Sequence, residues 1–125
     1  MKKRILFIDD DPDYLSSTSL FLKKKYEVIT AESAEEGWEK LKKEKFDLII
    51  LDAMMRPQSG FTMAEKLKMD PELQNIPIVM LTGVVPYIPN TKYSSDDILR
   101  FKGEEFVEKS EGLEKLLSVI EKLLE

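Results

Sequence analysis

The 125-residue chain contains no cysteine and no histidine. Without cysteine there is no disulfide framework and no thiolate chemistry. Without histidine the commonest general base and the commonest neutral metal ligand are both missing. A metal held here must be held by oxygens, which favours magnesium, calcium or manganese. Long apolar runs are missing too. The opening MKKRILFIDDD begins with basic residues, as a secretory leader does, but its apolar run covers only Ile5 to Ile8 before acids follow. No stretch is long enough to span a bilayer. There is no basic stripe: 19 Lys and Arg stand against 24 Asp and Glu, for a net charge of −5, which argues against a nucleic-acid partner. The expectation is a cytoplasmic protein that binds neither nucleic acid nor membrane.

What is present is a balance of 42% hydrophobic and 34% charged residues, which suits a packed core with a charged surface and not a disordered chain. The length predicts one domain, residues 1–125, with no output domain attached. Short β-branched and aromatic runs predict strands at Arg4–Asp9, Glu27–Ala31, Leu48–Leu51, Ile78–Leu81 and Glu105–Glu108. Between them lie helical patterns. Asp11-Pro12 predicts a cap followed by proline at the first helical position. Ser33 and Glu36 have capping-box spacing, with Ala34, Gly37, Trp38 and Leu41 as the apolar face. RPQSG (56–60) predicts a turn, and Thr62–Met69 a third helix ending before Asp70-Pro71. Val84–Tyr93 predicts a long loop, and Ser94–Phe101 a short helix. Glu111–Leu124 is the most periodic segment, with Ser110 as its expected cap. Strands alternating with helices predict an α/β fold with a parallel sheet covered on both faces.

The chemistry gathers at the strand ends. The first predicted strand runs into Asp9 and Asp10, the third into Asp52, the fourth into Thr82 and the fifth into Lys109. Ligands of open α/β sheets bind at that edge. Each residue alone has a plainer reading: a helix cap, a surface acid, a strand exit, a surface lysine. Their coincidence at four strand ends points instead to one crevice holding three carboxylates, a hydroxyl and an ammonium. Clustered carboxylates disfavour one another's ionisation, and a hard divalent cation relieves that repulsion. Two other motifs fail. An EF-hand loop starting at Asp9 needs Gly and Glu where Tyr14 and Leu20 stand. A haloacid-dehalogenase-type phosphatase also starts with a strand and D-x-D, but usually has Thr or Val where Asp13 stands.

Taken together, ILFIDDDP (5–12), DLIILDAMM (47–55), IPIVMLTG (76–83) and FVEK (106–109) resemble the response-regulator receiver domain of two-component signalling, over nearly the whole chain. The resemblance implies a flavodoxin-like, doubly wound sheet of five parallel strands in the order 2-1-3-4-5. It implies a stand-alone phosphoprotein, not an enzyme, that takes a phosphoryl group on Asp52 from a histidine kinase or phosphotransfer protein. Magnesium would be held by Asp9, Asp10, Asp52 and the backbone carbonyl of Met54. Lys109 would neutralise charge on the phosphoryl group, Thr82 would bond one of its oxygens, and Phe106 would repack with Thr82 as a switch. The signal would pass to a downstream protein, with the chain a monomer or a phosphorylation-dependent dimer. A phosphorylation-independent protein-binding module and an aspartate-based phosphatase are the alternatives.

The chain departs from the family pattern at several points. Arg56 stands where proline is usual and Pro57 follows; Ser59 replaces an acid or amide before Gly60. Ser110 follows Lys109, where the family has proline through a cis bond. A cis bond before a non-proline residue costs ~3 kcal/mol, so Lys109 is either held differently or strained. The span from Thr82 to Lys109 is longer than usual, so the helix before the fifth strand is expected to be short or irregular. Met54 and Val84, two residues after Asp52 and Thr82, are apolar and cannot orient a water, which predicts slow loss of the phosphoryl group.

Overall fold

The fold is described from a computed structural model, which covers residues 2–83 and 105–125. The predicted loop at Val84–Tyr93 and the helix at Ser94–Phe101 lie outside the described residues. The elements are β1 (Arg4–Ile8), α1 (Pro12–Leu22), β2 (Glu27–Ala31), α2 (Ala34–Lys43), β3 (Leu48–Asp52), α3 (Gly60–Met69), β4 (Ile78–Thr82), β5 (Glu105–Glu108) and α4 (Leu113–Leu124). The five strands form one sheet in the order β2-β1-β3-β4-β5, and every pairing is parallel.

The sheet is apolar on both faces because alternate side chains of a strand point opposite ways. Leu6, Ile8, Ile49, Leu51 and Met80 enter one core with Ala34 of α2 and Met63, Ala64 and Leu67 of α3. Ile5, Phe7, Leu48, Ile50, Val79 and Leu81 enter the other with Leu15 and Leu22 of α1 and Leu116, Val119 and Ile120 of α4. Each Leu, Ile, Val, Phe or Met side chain contributes about 1.5–3 kcal/mol when fully buried, so neither face of the sheet could be left to water.

The caps show which local expectations held. Asp11 caps α1 through its carboxylate, which accepts from the N–H of Asp13 and of Tyr14, and Pro12 occupies the first helical position. Ser33 accepts from the Glu36 N–H as its spacing predicts, but the Glu36 carboxylate accepts from Glu32 instead of closing the box on Ser33. Three strand ends move by one residue, with β1 stopping at Ile8 and β3 and β4 running to Asp52 and Thr82, and two helix starts need correction. α3 starts at Gly60, not Thr62, because Ser59 supplies the cap and accepts from the Thr62 N–H. α4 starts at Leu113, and Ser110 does not cap it. Residues Lys109–Glu111 instead form a 3-10 turn closed by the Glu108 and Glu111 side chains, and Gly112 leads into the helix at φ 91°, a conformation glycine adopts without a steric penalty.

Among the described residues, no helix is long and apolar enough to cross a membrane.

Candidate functional site at the carboxyl edge of the sheet

The strand order reverses between β1 and β3, and open α/β sheets form their ligand crevice at such a reversal. The acid run after β1 meets the end of β3 there. Its four carboxylates have separate environments. Asp9 is fully buried, and its Oδ1 accepts from the Asp11 N–H at 2.9 Å. Asp10 is exposed, and its Oδ2 accepts from the Arg56 N–H at 3.3 Å, tying the loop after β3 to the loop after β1. Asp11 caps α1. Asp13 lies in the first turn of that helix, where its charge meets the positive end of the helix dipole.

Asp52 is the last residue of β3 and is buried, with its Oδ1 accepting from the Met54 N–H at 3.2 Å. Gly60 fixes the backbone beneath it. A Cβ at residue 60 would lie 2.1 Å from the Asp52 carbonyl oxygen and 2.8 Å from the Ala53 Cα, so α3 can approach this closely only with glycine there. Thr82 ends β4 and pairs with Glu108 in register, which sets Lys109 next to it. The Lys109 ammonium lies 2.8 Å from Asp9 Oδ2 and 3.7 Å from Asp52 Oδ2. Thr82 Oγ1 is buried and has no hydrogen-bond partner among the described residues. Phe106, half-buried on β5, packs against Phe61 of α3 with ring centroids 6.3 Å apart.

The electrostatics follow from burial. Desolvation, followed by the charge of Asp9, raises the Asp52 carboxyl from 3.8 to about 7, against the pull of Lys109. Burial alone would push the Lys109 ammonium down, but Asp9 and Asp52 hold it above its ordinary value. Among the described residues, the crevice thus carries more carboxylate than Lys109 balances.

Asp9, Asp10 and Asp52 each offer an oxygen, and the three oxygens lie within 4.8 Å of one another. Oxygens on one octahedral magnesium sit about 3–4 Å apart, given ion–oxygen distances of about 2.1 Å. The donor set is all oxygen and anionic, so the residues present fit a small hard cation. Thr82, whose hydroxyl has no partner among the described residues, ends the neighbouring strand and offers a donor for an anionic oxygen.

The structure brings Asp9, Asp10, Asp52 and Lys109 into one cluster, with Thr82 beside them in the sheet. Met54, like Asp10, is exposed, and Val84 lies outside the described residues. The Lys109–Ser110 bond is not cis; among the described residues the one cis bond joins Arg56 and Pro57. Two participants escape sequence reasoning. One is Gly60, because a glycine after RPQS signals a turn as readily as a close contact. The other is Tyr14, whose ring centroid lies 4.5 Å from the Lys109 ammonium. Nothing local links residues 95 positions apart.

Comparison with known proteins agrees with this fold. The family model described as response regulator receiver domain matches residues 5–121. The 3',5'-cyclic-nucleotide phosphodiesterase regA of Dictyostelium discoideum is 32% identical over 128 residues, which cover 99% of this chain and 16% of that protein. The chain spans 7% to 18% of the length of several curated relatives. Among solved structures, a CheY-like response regulator receiver domain protein from Methanospirillum hungatei JF-1 superposes with a TM-score of 0.82 at 29% identity, covering 99% of this chain and 94% of the other. The chemotaxis response regulator CheY4 of Vibrio cholerae gives a TM-score of 0.82 at 28% identity, covering 99% and 100%.

Proposed function

The chain belongs to the response-regulator receiver family, and on that premise we propose that it accepts a phosphoryl group on Asp52 in a reaction dependent on a divalent cation. The observation that carries the proposal is the buried Asp52 carboxylate facing two further carboxylates and the Lys109 ammonium in one crevice. The donor would be a phosphohistidine of a partner histidine kinase or phosphotransfer protein, since this chain has no histidine of its own.

An Asp52 carboxylate oxygen attacks phosphorus. The new O–P bond forms as the N–P bond of the donor breaks, and the donor imidazole leaves with the electron pair and takes up a proton. Asp9, Asp10, Asp52 and the Met54 carbonyl are the groups that would hold magnesium. The ion supplies positive charge against the phosphoryl oxygens and favours the ionised form of the carboxylates. Lys109 adds a second positive charge 3.7 Å from Asp52 Oδ2. The Thr82 hydroxyl donates to a phosphoryl oxygen, which gives it a partner it lacks among the described residues. Movement of Thr82 leaves room for Phe106 to repack, so the phosphorylated form favours a different surface around β5.

The test is intact mass after incubation with acetyl phosphate, with and without magnesium, on the wild-type protein and Asp52→Ala. A single magnesium-dependent adduct that the variant lacks is the expected result. Magnesium binding with no adduct from acetyl phosphate or from any phosphorylated histidine protein would favour the other reading, a receiver fold that binds proteins through a fixed surface. The departures at Arg56 and Ser110 are what motivate that alternative.

A further inference from the structure

Lys109 is followed by serine through a bond that is not cis, so the proline-based turn usual after this lysine in the family does not hold it here. Yet its side chain is only 19% exposed, and its ammonium is placed between two carboxylates. A flexible four-carbon stem does not stay in one place without contacts that fix it. The ion pair to Asp9 fixes the tip. A further contact among the described residues, besides Asp52, is the face of Tyr14, 4.5 Å from ammonium to ring centroid, well inside the range of a cation–π interaction.

Tyr14 is itself held firmly. It is half-buried, and its ring packs edge-on against Phe7 of β1, with centroids 6.1 Å apart and planes at 88°. Its backbone N–H donates to the Asp11 carboxylate at 3.2 Å. These contacts close a ring. Asp9 Oδ1 accepts from Asp11 N–H, Asp11 Oδ1 accepts from Tyr14 N–H, the Tyr14 ring faces Lys109, and Lys109 returns to Asp9 Oδ2. The other lysine–aromatic contacts among the described residues, Lys24 over Phe21 at 5.9 Å and Lys25 over Tyr26 at 5.8 Å, are longer and made by exposed lysines. Attraction between a cation and a ring is stronger where water is kept out.

We propose that Tyr14 is a positioning residue: its ring face holds the Lys109 ammonium over Asp52, in place of the proline turn this chain lacks. The proposal rests on Asp52 being the phosphoryl acceptor for its effect on rate. The contact itself can be tested without that reading.

Two variants separate the ring from the rest of the side chain. Tyr14→Phe keeps the aromatic face; Tyr14→Leu keeps apolar bulk without it. In the NMR spectrum, the Lys109 ε-methylene protons should be shifted upfield by the ring current in wild type and Tyr14→Phe, and should return to ordinary lysine values in Tyr14→Leu. With acetyl phosphate and saturating magnesium, Tyr14→Leu should lower the maximal phosphorylation rate by about 3- to 30-fold, while Tyr14→Phe stays within about 2-fold of wild type. Magnesium affinity, read by titration, should move less than about 2-fold in both. An ordinary Lys109 shift in the wild type would overturn the contact. Equal rates in the Leu and Phe variants, per folded molecule, would overturn the positioning role and leave Tyr14 as packing for Phe7. If the wild type takes no phosphoryl group but shows the upfield shift that Tyr14→Leu abolishes, the Asp52 reading fails and the contact stands.

Discussion

The two edges of the sheet treat charge in opposite ways. At the amino ends of the strands, Arg4 is surrounded by compensation. Its guanidinium pairs with Glu27 and Glu44, donates to the Lys45 carbonyl and covers the Phe46 ring, while its backbone N–H donates to Asp47. Nearby, Lys25 pairs with Glu121. At the carboxyl ends, three carboxylates crowd one ammonium among the described residues, Asp52 is driven toward neutrality, and a buried hydroxyl has no partner among those residues. The first edge is finished as it stands. The second is left to be compensated, under the proposed function, by a cation and an anionic group. Binding energy for those ligands is available there because the free protein leaves its polar groups poorly satisfied.

The comparison can be broken most directly by neutralising one group at each edge. Asp52→Asn should abolish the phosphoryl adduct. It should also raise stability in the absence of divalent cations at pH 8, by roughly 1–3 kcal/mol in denaturant melts, because it removes a charge that is costly to bury. Arg4→Met should do the reverse, lowering the melting temperature. A destabilised Asp52→Asn would mean that the carboxyl edge is as well compensated as the other.

Gly60→Ala tests how the acceptor is held. The new methyl group meets backbone and not a movable side-chain tip, so α3 or the end of β3 must shift. A loss of about 1–3 kcal/mol and slower phosphorylation are expected, measured by melts and by adduct formation. At Gly37 the nearest atom to an added Cβ is the Ile8 Cδ1, at 2.6 Å, a terminal methyl that can turn aside, so Gly37→Ala should cost less.

The pH dependence follows from Asp52. Its folded-state value, about 7, lies above the ordinary 3.8, so the folded protein binds more protons than the unfolded chain between those values. Without divalent cations, stability should therefore fall as pH rises from about 4 to about 7 and then level off. Magnesium should flatten that fall by favouring the carboxylate. A melting series across this range, with and without the ion, checks both signs. The smallest effect concerns the lifetime of the adduct. Polar substitutions at Met54 and Val84 should hasten its loss several-fold by giving water a partner; an unchanged decay rate would remove the role assigned to their apolar side chains.

Much of this was legible in the sequence where the determinant is local. Strand ends follow from apolar runs meeting Asp9, Asp52 and Thr82, and the α1 cap from Asp11-Pro12, because a cap needs only its own next three residues. The receiver motifs then supplied the strand order. What was missed depends on other parts of the molecule. Ser59 reads as part of the RPQSG turn, although it caps α3. Ser110 has cap chemistry, but the turn closed by Glu108 and Glu111 carries the chain past it to Gly112. The partners of Arg4 and the meeting of Tyr14 with Lys109 exist only once the sheet has formed.

The most direct test of the central claim is to locate the phosphoryl group. Reduction of the phosphorylated protein with borohydride converts an aspartyl phosphate to homoserine, and peptide mapping then reads its position. The account predicts homoserine at position 52 alone, formed only when magnesium was present. Homoserine at Asp9 or Asp10, or an adduct on a serine or threonine that borohydride leaves intact, would contradict it.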